Sequence, residues 1–150
     1  MLRSDDCISD GCDGSKFYTE NSTSFSYKSP AAYDSVTYLD GTSLYGRLSY
    51  DKVCPTSDAD SCANDFLFVA ISQATGLKTY EDGIIGMWSG NKASSDTEEM
   101  IMYKMFADST IDENVFSFYL TDTAGSSYID FGTPNTAVMS DPADIVYIDI

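Results

Sequence analysis

Histidine is missing from this 150-residue sequence. Without an imidazole the chain can build neither a Ser-His-Asp or Cys-His nucleophile system nor a histidine-based metal site. Basic side chains are scarce: 8 Lys and Arg stand against 24 Asp and Glu, for a formal net charge of −16. Phosphate backbones and anionic bilayers need clustered cations, so nucleic acid and anionic membrane are poor partners, and no nucleic-acid partner is expected. Long apolar runs are lacking too. The clearest are 66–71 (FLFVAI) and the closing segment 145–150, far short of the roughly 20 residues of a membrane-spanning helix. The opening MLRSDDC has no apolar stretch of the kind a secretory leader carries. It reads either as a cytosolic start or as a chain whose true beginning lies elsewhere.

What is present suits a folded domain. The chain is long enough to bury a core, and with 43% hydrophobic and 13% aromatic residues wholesale disorder is not expected. At acidic pH the carboxylates neutralise and only a modest positive charge remains, so the composition tolerates acid; it serves equally to keep a surface soluble. The four cysteines fall in two near pairs, Cys7 with Cys12 and Cys54 with Cys62. Two local disulfides are the natural connectivity, each closing a small loop and contributing about 2–3 kcal/mol. They would place the chain in an oxidising compartment. A four-cysteine zinc site is the rival, although the gaps do not match tight zinc knuckles. Asn21-Ser22-Thr23 is a candidate N-glycosylation site.

Short strand signals follow one another along the chain, at 24–29, 33–38 and 46–53, with 1–16 read as a disulfide-tied loop. The continuous apolar run at 64–72 suits a strand buried on both faces. The segment 81–89 (EDGIIGMWS) reads as a short strand between glycines. One stretch changes period: Met100, Ile101, Met105 and Phe106 recur at helical spacing, and Ser95 with Glu98 makes a capping box, giving a helix over about 95–108. The segments 115–120 and 127–132 flank a turn as a second hairpin, and 143–150 closes the chain as a strand. The class is mostly β with one helix, a folded-over barrel or sandwich. The first hairpin, in SVTYLDGTSLYGRLSYDKV (35–53), turns at Asp40-Gly41-Thr42, because Asp-Gly tolerates the backbone that tight hairpins need.

Five segments in this order resemble the amino-terminal lobe of pepsin-like aspartic proteases (peptidase A1). CISDGC is similar to the small disulfide loop after the first catalytic turn, and FYTENSTSF to the segment that follows it. VTYLDGTSLYGRLSYDKV resembles the flap, YEDGIIGM the Asp-Gly-Ile-Leu-Gly signature, and VFSFYL with IDFG the hairpin beyond. Together they cover essentially the whole chain. The resemblance implies an acid protease lobe over 1–150 with a flap hairpin within 36–50, 36–48 standing off the body as a lid over a peptide or protein substrate. It makes Tyr38 the flap tyrosine, with Asp40, Gly41 and Thr42 at the tip and Leu39 where the family keeps glycine. Tyr38 read without the family is a cross-strand aromatic. Ile84 would line the main side-chain pocket, with Tyr80 in reach of it; plain core packing accounts for Ile85 and for much of Ile84. Asp82 reads as a buried carboxylate accepting backbone N–H bonds.

Pepsin-like catalysis uses two aspartates sharing a proton, each within Asp-Thr/Ser-Gly. The sequence holds no such tripeptide. Asp122, in YLTDTAGSS, is a decoy, since its place between the last two motifs is that of a hairpin loop. The resemblance therefore implies a fragment of a secreted, lysosomal or vacuolar endopeptidase, with no cofactor or metal. The first aspartate would fall just before Met1 and the second in a carboxy-terminal lobe that is not part of these residues. Two alternatives are a pseudoprotease that binds peptides without cutting them and an unrelated secreted, disulfide-bonded β-domain.

Overall fold

A computed structural model describes residues 1–57, 60–87, 100–139 and 141. Its centre is a long antiparallel pair, β4 (Ser43–Val53) and β5 (Ala63–Thr75). The Cys54–Cys62 disulfide closes their connection, with Cα atoms 4.1 Å apart, which removes zinc binding from the alternatives. β5 is buried continuously from Leu67 to Ile71, as its unbroken apolar run requires.

β4 has neighbours on both edges. β5 lies on one, and on the other β3 (Tyr33–Thr37) pairs with 43–47 while β2 (Ser26–Tyr27) pairs with 49–50. The hairpin strands thus extend over 33–53, wider than the 36–50 expected from sequence. Its return strand is an interior strand of the sheet, not part of a free-standing arm. Only 38–42 lie beyond the β3–β4 ladder. The register shifts between Tyr45 and Gly46, where a Cβ on Gly46 would collide with the Ala70 carbonyl.

Residues 1–16 are more ordered than a disulfide-tied loop. β1 (Leu2–Arg3) runs parallel to β5, Leu2 opposite Ala70 and Arg3 opposite Ile71. The Cys7–Cys12 disulfide packs in one core cluster with Leu44, Ile71, Ala74 and Leu77. Arg3 is fully buried: its Nη2 donates to the carbonyls of Gly11 (2.9 Å) and Lys78 (3.1 Å), and its Nη1 to that of Ser15 (3.4 Å). A guanidinium presents five donors in a fixed fork, which lets one side chain bind the first disulfide loop and the 76–80 segment to β1.

A second cluster joins Ala63 with Ile101, Met102, Met105 and Ile111. Helix α1 (Ile101–Ala107) supplies three of these. Its inward face differs in one position from the expected one: Met102 is buried, whereas Phe106 is 45% exposed. The expected capping pair Ser95 and Glu98 lies outside the described residues, as does the closing strand at 143–150. The second hairpin, β6 (Phe116–Tyr119) and β7 (Tyr128–Phe131), forms a separate two-stranded sheet whose Phe116 and Phe131 pack against this cluster. Between 81 and 87 there is no strand; a lone bridge joins Gly83 to Leu2. No helix of the described residues is long and apolar enough to cross a membrane.

Candidate functional site: a hairpin tip and an apolar cleft

Local bonds define the tip. Tyr38 and Thr42 close the loop, the Tyr38 N–H donating to the Thr42 carbonyl at 2.8 Å, and the Gly41 N–H donates to the Tyr38 carbonyl at 3.0 Å. The reversal is thus the three-residue loop Leu39-Asp40-Gly41, one residue earlier than Asp40-Gly41-Thr42. Gly41 has φ 88°, the left-handed position that ends such loops and favours glycine. Asp40 Oδ1 accepts from the Thr42 N–H at 2.9 Å. That bond, with a further one from the Thr42 side chain, holds the Asp40 carboxyl below the usual carboxylate range.

The tip residues do not share one environment. Leu39 is wholly exposed, whereas Thr42 is buried at the foot of the turn, where a Cβ on Gly76 would lie 3.0 Å from its hydroxyl. Tyr38 is partly exposed. Strand alternation, followed one residue past β3, puts it on the side of Val36, which packs against the cluster around Leu44 and Ile71.

Ile84 packs against the same cluster, so the hairpin base and Ile84 share one support. Ile84 also lines a cleft of about 410 Å³, together with Leu2, Val69, Gly83 and Ile85. Tyr38 is not among the lining residues, so the structure joins tip and cleft through the core, not around one pocket. Three expectations in this region are corrected. Ile85 is 58% exposed, so core packing does not account for it. Tyr80 is exposed and outside the cleft lining. Asp82 is exposed too, and its backbone carbonyl, not its carboxylate, takes a bond, from the Arg3 N–H at 2.9 Å. The Asp-Gly pair here turns the chain alongside β1 instead of burying a charge.

The cleft lies in line with β1. β1 is flanked by β5 on one side and by 82–84 on the other: Arg3 and Ile84 donate to the carbonyls of Asp82 and Met1. Among the described residues, β5 has a strand partner on its β1 edge only at Ala70 and Ile71, and beyond them the Ile8 N–H and the Ser9 hydroxyl bond Ser72 and Ala74. The preceding 66–69 line the cleft. A strand edge without a strand partner among the described residues, beside an apolar hollow, suits an extended chain segment. Nothing in the opening heptapeptide signals this; it depends on the parallel pairing of two residues with a strand far along the chain.

Asp122 lies in the exposed connection between β6 and β7. Asn21 is exposed at the end of the 3-10 turn Thr19–Asn21.

A largely β unit with two disulfides, a glycine-ended hairpin tip and a cleft beside the first strand has the features of a pepsin-like lobe. The family model for eukaryotic aspartyl proteases matches residues 2–150, and the chain belongs to that family. Vacuolar protease A of Neurospora crassa is 34% identical over 119 residues, covering 77% of this chain and 29% of that protein. The chain therefore spans less than a third of the length of the curated relative it matches.

Proposed function

We propose that this chain is the greater part of the amino-terminal lobe of a two-lobed aspartic endopeptidase. It contributes the flap and part of the substrate cleft, and the two catalytic aspartates are carried outside 1–150. The observation that supports this most directly is the cleft bounded by β5 at 66–69, which has no strand partner on its β1 edge among the described residues, and by 83–86, in line with β1. A segment entering β1 along that line would have backbone partners on one side and Ile84 on the other, the setting an aspartate-bearing turn needs for a fixed carboxylate. The match across 2–150 of a sequence without Asp-Thr/Ser-Gly is consistent with this arrangement.

In such an enzyme two adjacent carboxyl groups share one proton, because close like charges cannot both ionise easily. One draws a proton from the attacking water and the other donates to the carbonyl oxygen of the scissile amide. The residues here hold the peptide for that step. The tip at 38–42 offers backbone partners to an extended substrate and shields the reacting bond from water. Tyr38 packs on the substrate, Asp40 and Gly41 fix the turn, Thr42 anchors its foot, and Ile84 lines an apolar side-chain pocket. Two disulfides, together with the vacuolar name of the Neurospora relative, support a secreted or vacuolar location.

The test compares the protein encoded with its flanking residues against 1–150 alone, on a protein substrate at acid pH. The longer protein should hydrolyse peptide bonds and be blocked by a statine-type transition-state mimic, while 1–150 should show no hydrolysis. Peptide binding without cleavage by the longer protein would replace this reading with a pseudoprotease. Hydrolysis by 1–150 alone would end it.

A further inference from the structure

The segment before β2 belongs to neither hairpin tip nor cleft, yet it is closely held. We propose that Asn21 carries an N-linked oligosaccharide, on a surface turn that is fixed from beneath and remote from the hairpin tip. Asn21-Ser22-Thr23 is the only Asn-X-Ser/Thr triplet in the sequence, and no proline interrupts or follows it. The structure adds three points. Asn21 ends the turn Thr19–Asn21, its N–H bonded to the Tyr18 carbonyl at 3.0 Å, and both Asn21 and Thr23 are exposed. Beneath them the buried Asp51 carboxylate accepts from the Ser22 hydroxyl at 2.8 Å and from the Ser24 hydroxyl. The triplet is thus tied through Ser22 while Asn21 and Thr23 remain at the surface. The two disulfides suit an oxidising compartment, which in eukaryotes is reached through the same lumen where N-glycans are attached.

Location adds a functional argument. Asp51 lies near the end of β4 opposite the hairpin tip, eight residues beyond Ser43, roughly 27 Å at about 3.4 Å per residue. A glycan at Asn21 therefore enlarges the polar surface without covering Tyr38 or Leu39. The donor is an oligosaccharide linked through diphosphate to a polyisoprenoid lipid. The Asn21 Nδ2 attacks the sugar C1, forming the C–N bond and losing one amide proton. The C1–O bond to the diphosphate breaks, and the polyisoprenoid diphosphate leaves.

The full protein, with its flanking residues, is secreted from a eukaryotic host and analysed by peptide mapping before and after amidase removal of N-glycans. The Asn21 peptide should carry hexose-rich mass and, after the amidase, return as aspartate, about 1 Da heavier than asparagine. Thr23→Ala should abolish the modification and Thr23→Ser keep it, which separates loss of the acceptor hydroxyl from loss of folding. Proteolytic rate should be the same with and without the glycan. Recovery of the Asn21 peptide unmodified from secreted, disulfide-bonded protein would overturn the assignment, and so would an unchanged glycan mass in Thr23→Ala protein, since the sugar would then lie elsewhere. Neither result depends on whether the protein cleaves peptides.

Discussion

Tyr38 and Arg3 show how much can hang on one side chain in this lobe. Tyr38 closes the hairpin loop through its backbone, so changing its side chain leaves the tip bonds in place and tests its proposed contact with substrate alone. In the proposed two-lobed protease, Tyr38→Ala is expected to lower kcat/KM about 10- to 100-fold, or about 1.4–2.7 kcal/mol of transition-state binding. Tyr38→Phe should fall between, since the ring is kept. Steady-state kinetics on one peptide with the three proteins checks the order; equal rates would remove Tyr38 from the site. Arg3 is buried and its guanidinium donates to three backbone carbonyls, those of Gly11, Ser15 and Lys78. Arg3→Leu strands those acceptors, each costing about 1–3 kcal/mol when left unsatisfied. We expect a total loss of about 2–5 kcal/mol, read from urea midpoints, with Arg3→Lys recovering only part because an ammonium cannot span all three.

Among the elements, β4 is the most constrained, because it is paired along both edges and carries the tip. Gly46 sits at its register shift, where a Cβ would meet the Ala70 carbonyl and the Ile71 Cα. Backbone cannot swing aside as a flexible side chain can. Gly46→Ala should therefore cost about 1–3 kcal/mol or more, with faster exchange of the β4–β5 amides by hydrogen exchange; an unchanged urea midpoint would contradict this. The elements also show what the sequence could reveal. The turn chemistry at Asp40-Gly41 and the apolar run at 64–72 are local signals, and both elements occur within a few residues of where they were expected. The inward face of α1 was legible at Met105 but not in the choice of Met102 over Phe106. Both positions fit helical spacing, and only the shape of the cluster around Ala63 separates them. The exposure of Ile85 and Asp82 and the burial of Arg3 depend on β1 running between β5 and 82–84. No periodicity within seven residues of sequence encodes that pairing. The candidate site divides in the same way: its tip was legible in the turn residues, while the cleft was not.

At the scale of the whole molecule, two electrostatic effects of opposite sign set the response to acid. The net charge of −16 at neutral pH repels itself in the compact state. Lowering the pH toward about 4–5 begins to protonate ordinary carboxylates, with unfolded values near 3.9 for Asp and 4.3 for Glu, and relieves that repulsion. Three aspartates act against it. Asp40 is held low by the Thr42 bonds, and Asp112 by the Thr133 hydroxyl and N–H. At Asp108 burial pulls upward but is outweighed by the Lys104 ammonium and the Asn64 N–H, so it too is held low. For a group whose folded value is depressed, the unfolded chain binds the proton more readily. The stability it gives is present above about pH 4 and is lost as pH falls through the folded value. The repulsive term thus relaxes first and the local bonds fail later. Urea midpoints should rise from pH 7 to a maximum near pH 4–5 and fall below about 3.5. Added salt should raise the midpoint at pH 7 and change it little at the maximum, where screening has less repulsion to remove. Asp112→Asn keeps an acceptor for Thr133 but cannot titrate, so the fall below pH 3.5 should be shallower in that variant. A midpoint that declines steadily from pH 7 downward would show that the local aspartates outweigh the net charge throughout, and the lobe would then be least stable under the acid conditions in which its dyad is proposed to act.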